Sequence, residues 1–122
     1  MKWLFALALV SSLALAQIRV SVETLPPPTL TLSAELRVTL VPGVVVVERV
    51  PEPQGILVVY RSSRAAEVYE HHHRDLVARG WVRVKYQAEE GRYKAEYRRG
   101  KAKAKLEVRD QRGRIEVRIK EG

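Results

Sequence analysis

From Trp81 to the C-terminus the hydrophobic period is two, and it holds through four consecutive segments. Val82, Val84 and Tyr86 alternate with Arg83 and Lys85; Tyr93, Ala95 and Tyr97 alternate with Arg92, Lys94, Glu96 and Arg98. Ala102, Ala104, Leu106 and Val108 then alternate with Lys101, Lys103, Lys105, Glu107 and Arg109, and Ile115, Val117 and Ile119 with Arg114, Glu116, Arg118 and Lys120. Glu90-Gly91, Arg99-Gly100 and Asp110-Gln111-Arg112-Gly113 punctuate the run. Successive side chains of a strand point to opposite faces, so this pattern collects the apolar groups on one face and the charges on the other. Links this short join antiparallel neighbours. The chain is therefore expected to end in a four-stranded antiparallel meander whose apolar face needs a cover.

The cover is legible upstream. Residues 64–79 contain no proline or glycine, Ser62 and Ser63 precede them with hydroxyls suited to capping, and Gly80 follows at the position where helices end. At 100° per residue Ala65, Val68, Tyr69, His72 and Leu76 share one side, which predicts a helix from about Ser63 to Arg79 laid across the sheet. Before it, Ile56 to Tyr60 and Leu36 to Leu40 read as strands, and the β-branched run Val44 to Val47 reads as a strand buried on both faces. Ile18, Val20 and Val22 alternate as a short strand, and Pro26-Pro27-Pro28 makes Glu23 to Leu32 a connector, with Thr29 to Leu32 able to join a sheet edge. The expected fold class is α+β, with 17–35 as N-terminal strand and Pro-rich connector and 36–122 as a single domain.

Residues 1–16 read as a signal peptide: Lys2, an apolar run from Trp3 to Val10, and Ala14-Leu15-Ala16 as the small-x-small cleavage pattern. The run is shorter than the ~20 residues a membrane-spanning helix needs, and no later segment approaches that length. Export to the periplasm or the extracellular space is the expectation. The chain has no cysteine, so neither a disulfide nor a lipid anchor on a thiol is available, and one hydrophobic core must hold the domain. Asparagine is absent, methionine occurs once, and Arg, Lys and Glu dominate the charges, a composition like that of thermophile proteins. Charge is unevenly placed: residues 17–80 hold seven Lys/Arg against seven Asp/Glu, and residues 81–122 fourteen against seven.

The segment from Val68 through His71, His72 and Leu76 to Gly80-Trp81, following a strand and preceding a meander, resembles a module of small exported bacterial proteins. Its helix has the form V-x-x-aromatic-aromatic-x-x-x-L-x-x-x-G-W. This chain departs from the pattern at His71 and His72, where an aromatic pair is usual. The resemblance covers about Leu40 to Lys120 and implies the fold and export, with no catalytic residues to carry over.

Two groups of residues could carry function. His71-His72-His73 invites a metal reading, but three consecutive helical residues spread over about 200° and cannot meet on one ion. The i,i+4 row Glu67, His71 and Asp75 is the sharper form of that idea, a weak metal site or an exposed charge row, and with His72 it makes a metal-binding or pH-responsive protein a second alternative. His72, in the apolar stripe, is expected to be an aromatic-sized core residue with one nitrogen hydrogen-bonded. The second group is the charged face of the meander, on which Arg83, Lys85, Arg92, Lys94, Lys101, Lys103, Lys105, Arg114 and Arg118 are expected to project with Arg98, Arg109 and Lys120. Nucleic acid, anionic lipid and acidic cell-wall polymers are partners such a face would attract outside the cytoplasm. The tyrosines alternate onto the apolar side, away from the charges, so base stacking is not expected. G-x-S-x-G, H-E-x-x-H, a phosphate loop and a cysteine nucleophile are all missing. The expectation is a non-enzymatic exported binding or accessory module without a cofactor. A structural or protein-interaction domain contacting an envelope protein is the alternative.

Overall fold

The computed structural model describes residues 28–122. The leader, the strand read at Ile18 to Val22 and most of the Pro-rich connector lie outside the described residues. In chain order the elements are β1 (Thr29–Thr31), β2 (Arg37–Thr39), β3 (Val45–Glu52), β4 (Gly55–Arg61), α1 (Ala65–Ala78), β5 (Val82–Glu89), β6 (Arg92–Arg99), β7 (Ala102–Asp110) and β8 (Arg114–Glu121).

The architecture is α+β, an antiparallel sheet with one helix on one face. The four C-terminal strands lie side by side as their alternation requires, but the sheet does not stop there. Its order is β3-β4-β8-β7-β6-β5, six strands, because β8 also pairs along its length with β4. The chain leaves β4, crosses the apolar face as α1, enters at the far edge as β5, and returns strand by strand until β8 docks beside β4. β1 and β2 form a separate two-stranded ribbon.

α1 ends where its sequence says it should. Gly80 takes φ +93°, the left-handed conformation that costs glycine nothing. Its N–H donates to the Val77 carbonyl at 3.0 Å, and that of Trp81 donates to Leu76 at 3.0 Å. This pair of bonds is a Schellman motif, and it brings Trp81 and Leu76, both fully buried, together under the helix end. At the other end the helix starts at Ala65. The Ser62 hydroxyl accepts the Arg64 N–H at 3.1 Å and shapes the turn before the helix.

The predicted stripe Ala65, Val68, Tyr69, His72 and Leu76 is buried. It meets Ala95 and Tyr97 of β6, Ala104, Leu106 and Val108 of β7, and the inward residues of β8 and β4 in one core. α1 contacts β5, β6, β7 and the ribbon strand β2. The ribbon completes the cover, burying Leu36, Val38 and Leu40 and partly burying Leu30 and Leu32. Within the segment read as a connector, Thr29 to Thr31 forms β1 and pairs with β2.

Two β-bulges change which way side chains face. One breaks register in β3 between Val46 and Glu48, the other in β5 between Arg83 and Lys85. The run Val44 to Val47 is not buried on both faces. It opens an edge strand, and Val45 is 56% exposed. In β5 the extra residue, Val84, reverses the expected alternation: Arg83 stands opposite Tyr97 on the helix side, while Val82 stands opposite Arg98 on the outer side.

Candidate functional site

Among the described residues nothing covers the face of the sheet opposite the helix, and on β6 to β8 it is built of charges. Reading across from β5 to β8, one row runs Gln87, Lys94, Glu107, Arg118 and the next Lys85, Glu96, Lys105, Lys120. Carboxylates answer part of this charge. Lys85 reaches Glu96 at 3.6 Å, Arg92 and Lys94 share Glu107 at 3.1 and 3.7 Å, and Arg118 reaches Glu52 on β3 at 3.1 Å.

Elsewhere like charges meet across strands. Lys105 stands directly opposite Lys120, with Glu96 on its other side, Arg98 stands opposite Lys103, and Arg61 opposite Arg114. Like charges placed this way oppose sheet formation. Among the described residues Arg98, Lys103, Lys105 and Lys120 make no ion pair within 4.0 Å. The sheet is hollowed here. A concavity of about 390 Å³ is lined by Lys85, Lys94, Lys105, Arg118 and Lys120, with Glu96 and Glu107 among them.

Seven of the nine basic residues singled out in the sequence sit on this face: Lys85, Arg92, Lys94, Lys103, Lys105, Arg114 and Arg118. Two do not. Lys101 lies in the turn between β6 and β7. Arg83 is turned to the helix side by the bulge, where its Nη1 donates to the Tyr69 hydroxyl at 3.0 Å and its guanidinium lies 4.4 Å from the Tyr86 ring centre. Around it Tyr69 stacks with Tyr93 and His73, their ring centres 5.4 and 5.9 Å away. Burial above all pushes the Tyr97 phenol far above its ordinary range, so it stays protonated. Sequence reasoning missed this polar aromatic cluster because a single extra residue decides which side Arg83 takes.

The histidine run divides its three rings among three strands, as residues 100° apart must. His71 Nε2 donates to the Thr39 carbonyl of β2 at 2.8 Å. His72 Nε2 lies 2.9 Å from the Tyr60 hydroxyl of β4, and His73 Nδ1 lies 2.8 Å from the Tyr97 hydroxyl of β6.

In the row Glu67, His71 and Asp75 the side chains have other partners. One Asp75 oxygen accepts the Thr39 N–H at 2.7 Å and the other accepts Arg79 Nε at 3.1 Å, while Glu67 is exposed beside Arg64. With Arg79 Nη2 donating to the Thr39 hydroxyl at 2.8 Å, these side chains hold the polar groups of Thr39 and clamp the ribbon to the helix. Among the described residues no group of three His, Cys, Asp or Glu side chains is placed to hold a metal ion. No described helix is long and apolar enough to cross a membrane.

No protein-family model matches this chain, and no curated protein or solved structure compared with it is similar. The functional reading therefore rests on geometry.

Proposed function

We propose that the protein is a non-enzymatic exported binding module that holds an anionic polymer against the concave outer face of its sheet. The observation that carries this reading is the opposition of Lys105 to Lys120 inside the concavity. A face meant only to be solvated gains by setting Lys against Glu, as this sheet does at Lys85–Glu96. Unanswered ammonium pairs in a hollow are explained when an anion supplies the missing charge. A hollow also meets a convex chain better than a flat bilayer, which would touch only its rim.

The test is binding of the whole protein to labelled DNA, used as a generic polyanion, and to anionic liposomes over a salt series. The logarithm of DNA affinity should fall linearly with that of salt, with a slope of roughly 0.7–0.9 per phosphate neutralised. Liposomes should bind more weakly. Reversing Lys103, Lys105 and Lys120 together should remove most of the slope. Absence of DNA binding at low salt, or a slope untouched by the triple reversal, sinks the reading.

A further inference from the structure

We propose that a second copy of this chain adds to the sheet at β5, antiparallel, about a two-fold axis through Gln87. All eight residues of β5 are exposed, and as an edge strand it offers backbone N–H and C=O groups with no neighbour beyond them among the described residues. Among the described residues, four of the six large hydrophobic side chains left exposed, Val77, Val82, Val84 and Tyr86, are on β5 or at the helix end leading into it. The opposite edge is guarded differently: β3 carries Pro51, which cannot donate to a new ladder, and a bulge of its own.

The bulge at Val84 limits what β5 can pair with. It leaves a regular edge from Lys85 to Glu89, five residues with Gln87 at the centre. Lys85, Gln87 and Glu89 face outward and Tyr86 and Ala88 inward, as their partners on β6 show. Residues directly opposed in an antiparallel pair share a face, so the axis must pass through a residue and not between two. Centred on Gln87, Lys85 of each copy faces Glu89 of the other, twice by symmetry, and Tyr86 faces Ala88. Centring on Tyr86 sets Lys85 against Gln87, centring on Lys85 sets it against itself, and centring on Ala88 sets it against Gly91.

The register through Gln87 is therefore the one that is electrostatically self-complementary. The Lys85 side chain is 70% exposed, and its pairing with Glu96 at 3.6 Å lies at the surface, where exchange to a new carboxylate costs little. Joined this way the two sheets form one, and their basic outer faces run on continuously. A contact of this length falls below the ~1,200 Å² of standard interfaces, so the dimer should dissociate on dilution.

The experiment is sedimentation velocity of the whole protein over a concentration series at low salt, with Lys85→Glu, Glu89→Lys, and an equimolar mixture of the two. The unaltered protein should shift from monomer to dimer as concentration rises. Each single reversal turns both pairs repulsive and should weaken self-association about tenfold or more. The mixture should regain a dimer, because carboxylates at both positions of one chain meet ammonium groups at both positions of the other. A protein that stays monomeric at the highest concentration overturns the proposal. So does self-association that neither reversal changes, or a mixture that stays monomeric. Thermal melts of each variant establish that the fold is intact.

Discussion

Burial of the His72 imidazole leaves an added proton no favourable place. The side chain is fully inaccessible, and burial first, then the neighbouring His71, lower its pKa to about 3. Tyr60, whose own pKa is pushed up to about 12 chiefly by burial, accepts the Val41 N–H at 3.1 Å, and its hydroxyl lies 2.9 Å from His72 Nε2. The second ring nitrogen, Nδ1, has no partner among the described residues. Above about pH 6.5 the ring is neutral folded or unfolded, and stability is complete. Between about pH 6.5 and about 3 only the unfolded chain takes up the proton, so this one residue removes ~1.4 kcal/mol of stability per pH unit. His72→Phe keeps an aromatic of similar size and cannot titrate. Denaturant unfolding from about pH 4 to 7 should show a shallower decline for the variant, and it should overtake the parent at the acid end even if the lost bond costs it about 1 kcal/mol at neutrality. Parallel declines would mean that the ring is protonated in place. That His72 is a core aromatic with one bonded nitrogen follows from the helical stripe alone. Its partner does not, because Tyr60 reaches it only after β4 has found β8.

Pairing of β4 with β8 closes the fold, and Gly55 sets how near the two strands begin. A Cβ at Gly55 would lie 2.5 Å from Lys120 Cβ and 2.6 Å from the Ile119 carbonyl oxygen, both on β8. Gly55→Ala must push the start of β4 away from the end of β8, at an expected cost of about 1–3 kcal/mol. Loss of amide protection should appear first at Ile56 and Ile119. An unchanged unfolding midpoint would show that the strands can part there freely. At this scale the sequence was legible where the signal is local. The period of two located β5 to β8, and Leu76, Gly80 and Trp81 marked a helix end that the Schellman bonds explain. It was not legible where a strand's place depends on distant partners. Four β-branched residues read the same in a central strand and at an edge, so Val44 to Val47 looked buried on both faces. The bulges in β3 and β5 have no compositional mark, and the one at Val84 moved Arg83 from the outer face to the aromatic cluster.

At the scale of the whole molecule, the sheet divides into a face that stabilises it and a face that works against it. The inner residues of β4, β6, β7 and β8 make a continuous core, whereas the outer face leaves Lys105 against Lys120 and Arg98 against Lys103. Which residues of β6 to β8 point outward could be read from alternation. The hollow could not, since it depends on how β5 to β8 curve together, which a period of two does not specify. Stability and binding should therefore respond in opposite directions to one substitution. Lys120 faces Lys105 on one side and Gly55 on the other, so Lys120→Glu turns a repulsive pair into an attractive one without creating a new clash of charge. Cross-strand charge pairs contribute about 0.2–1 kcal/mol, which for a domain of this size is a rise of about 1–6 °C in Tm. The same change removes one positive charge from the hollow and adds a negative one, so affinity for a polyanion at low salt should fall. If the outer face is solvated surface and nothing more, Lys120→Glu will raise Tm and leave DNA binding unaltered. If Tm falls, the opposed ammonium groups are not the strain that the register implies, and the case for an absent anion loses its support.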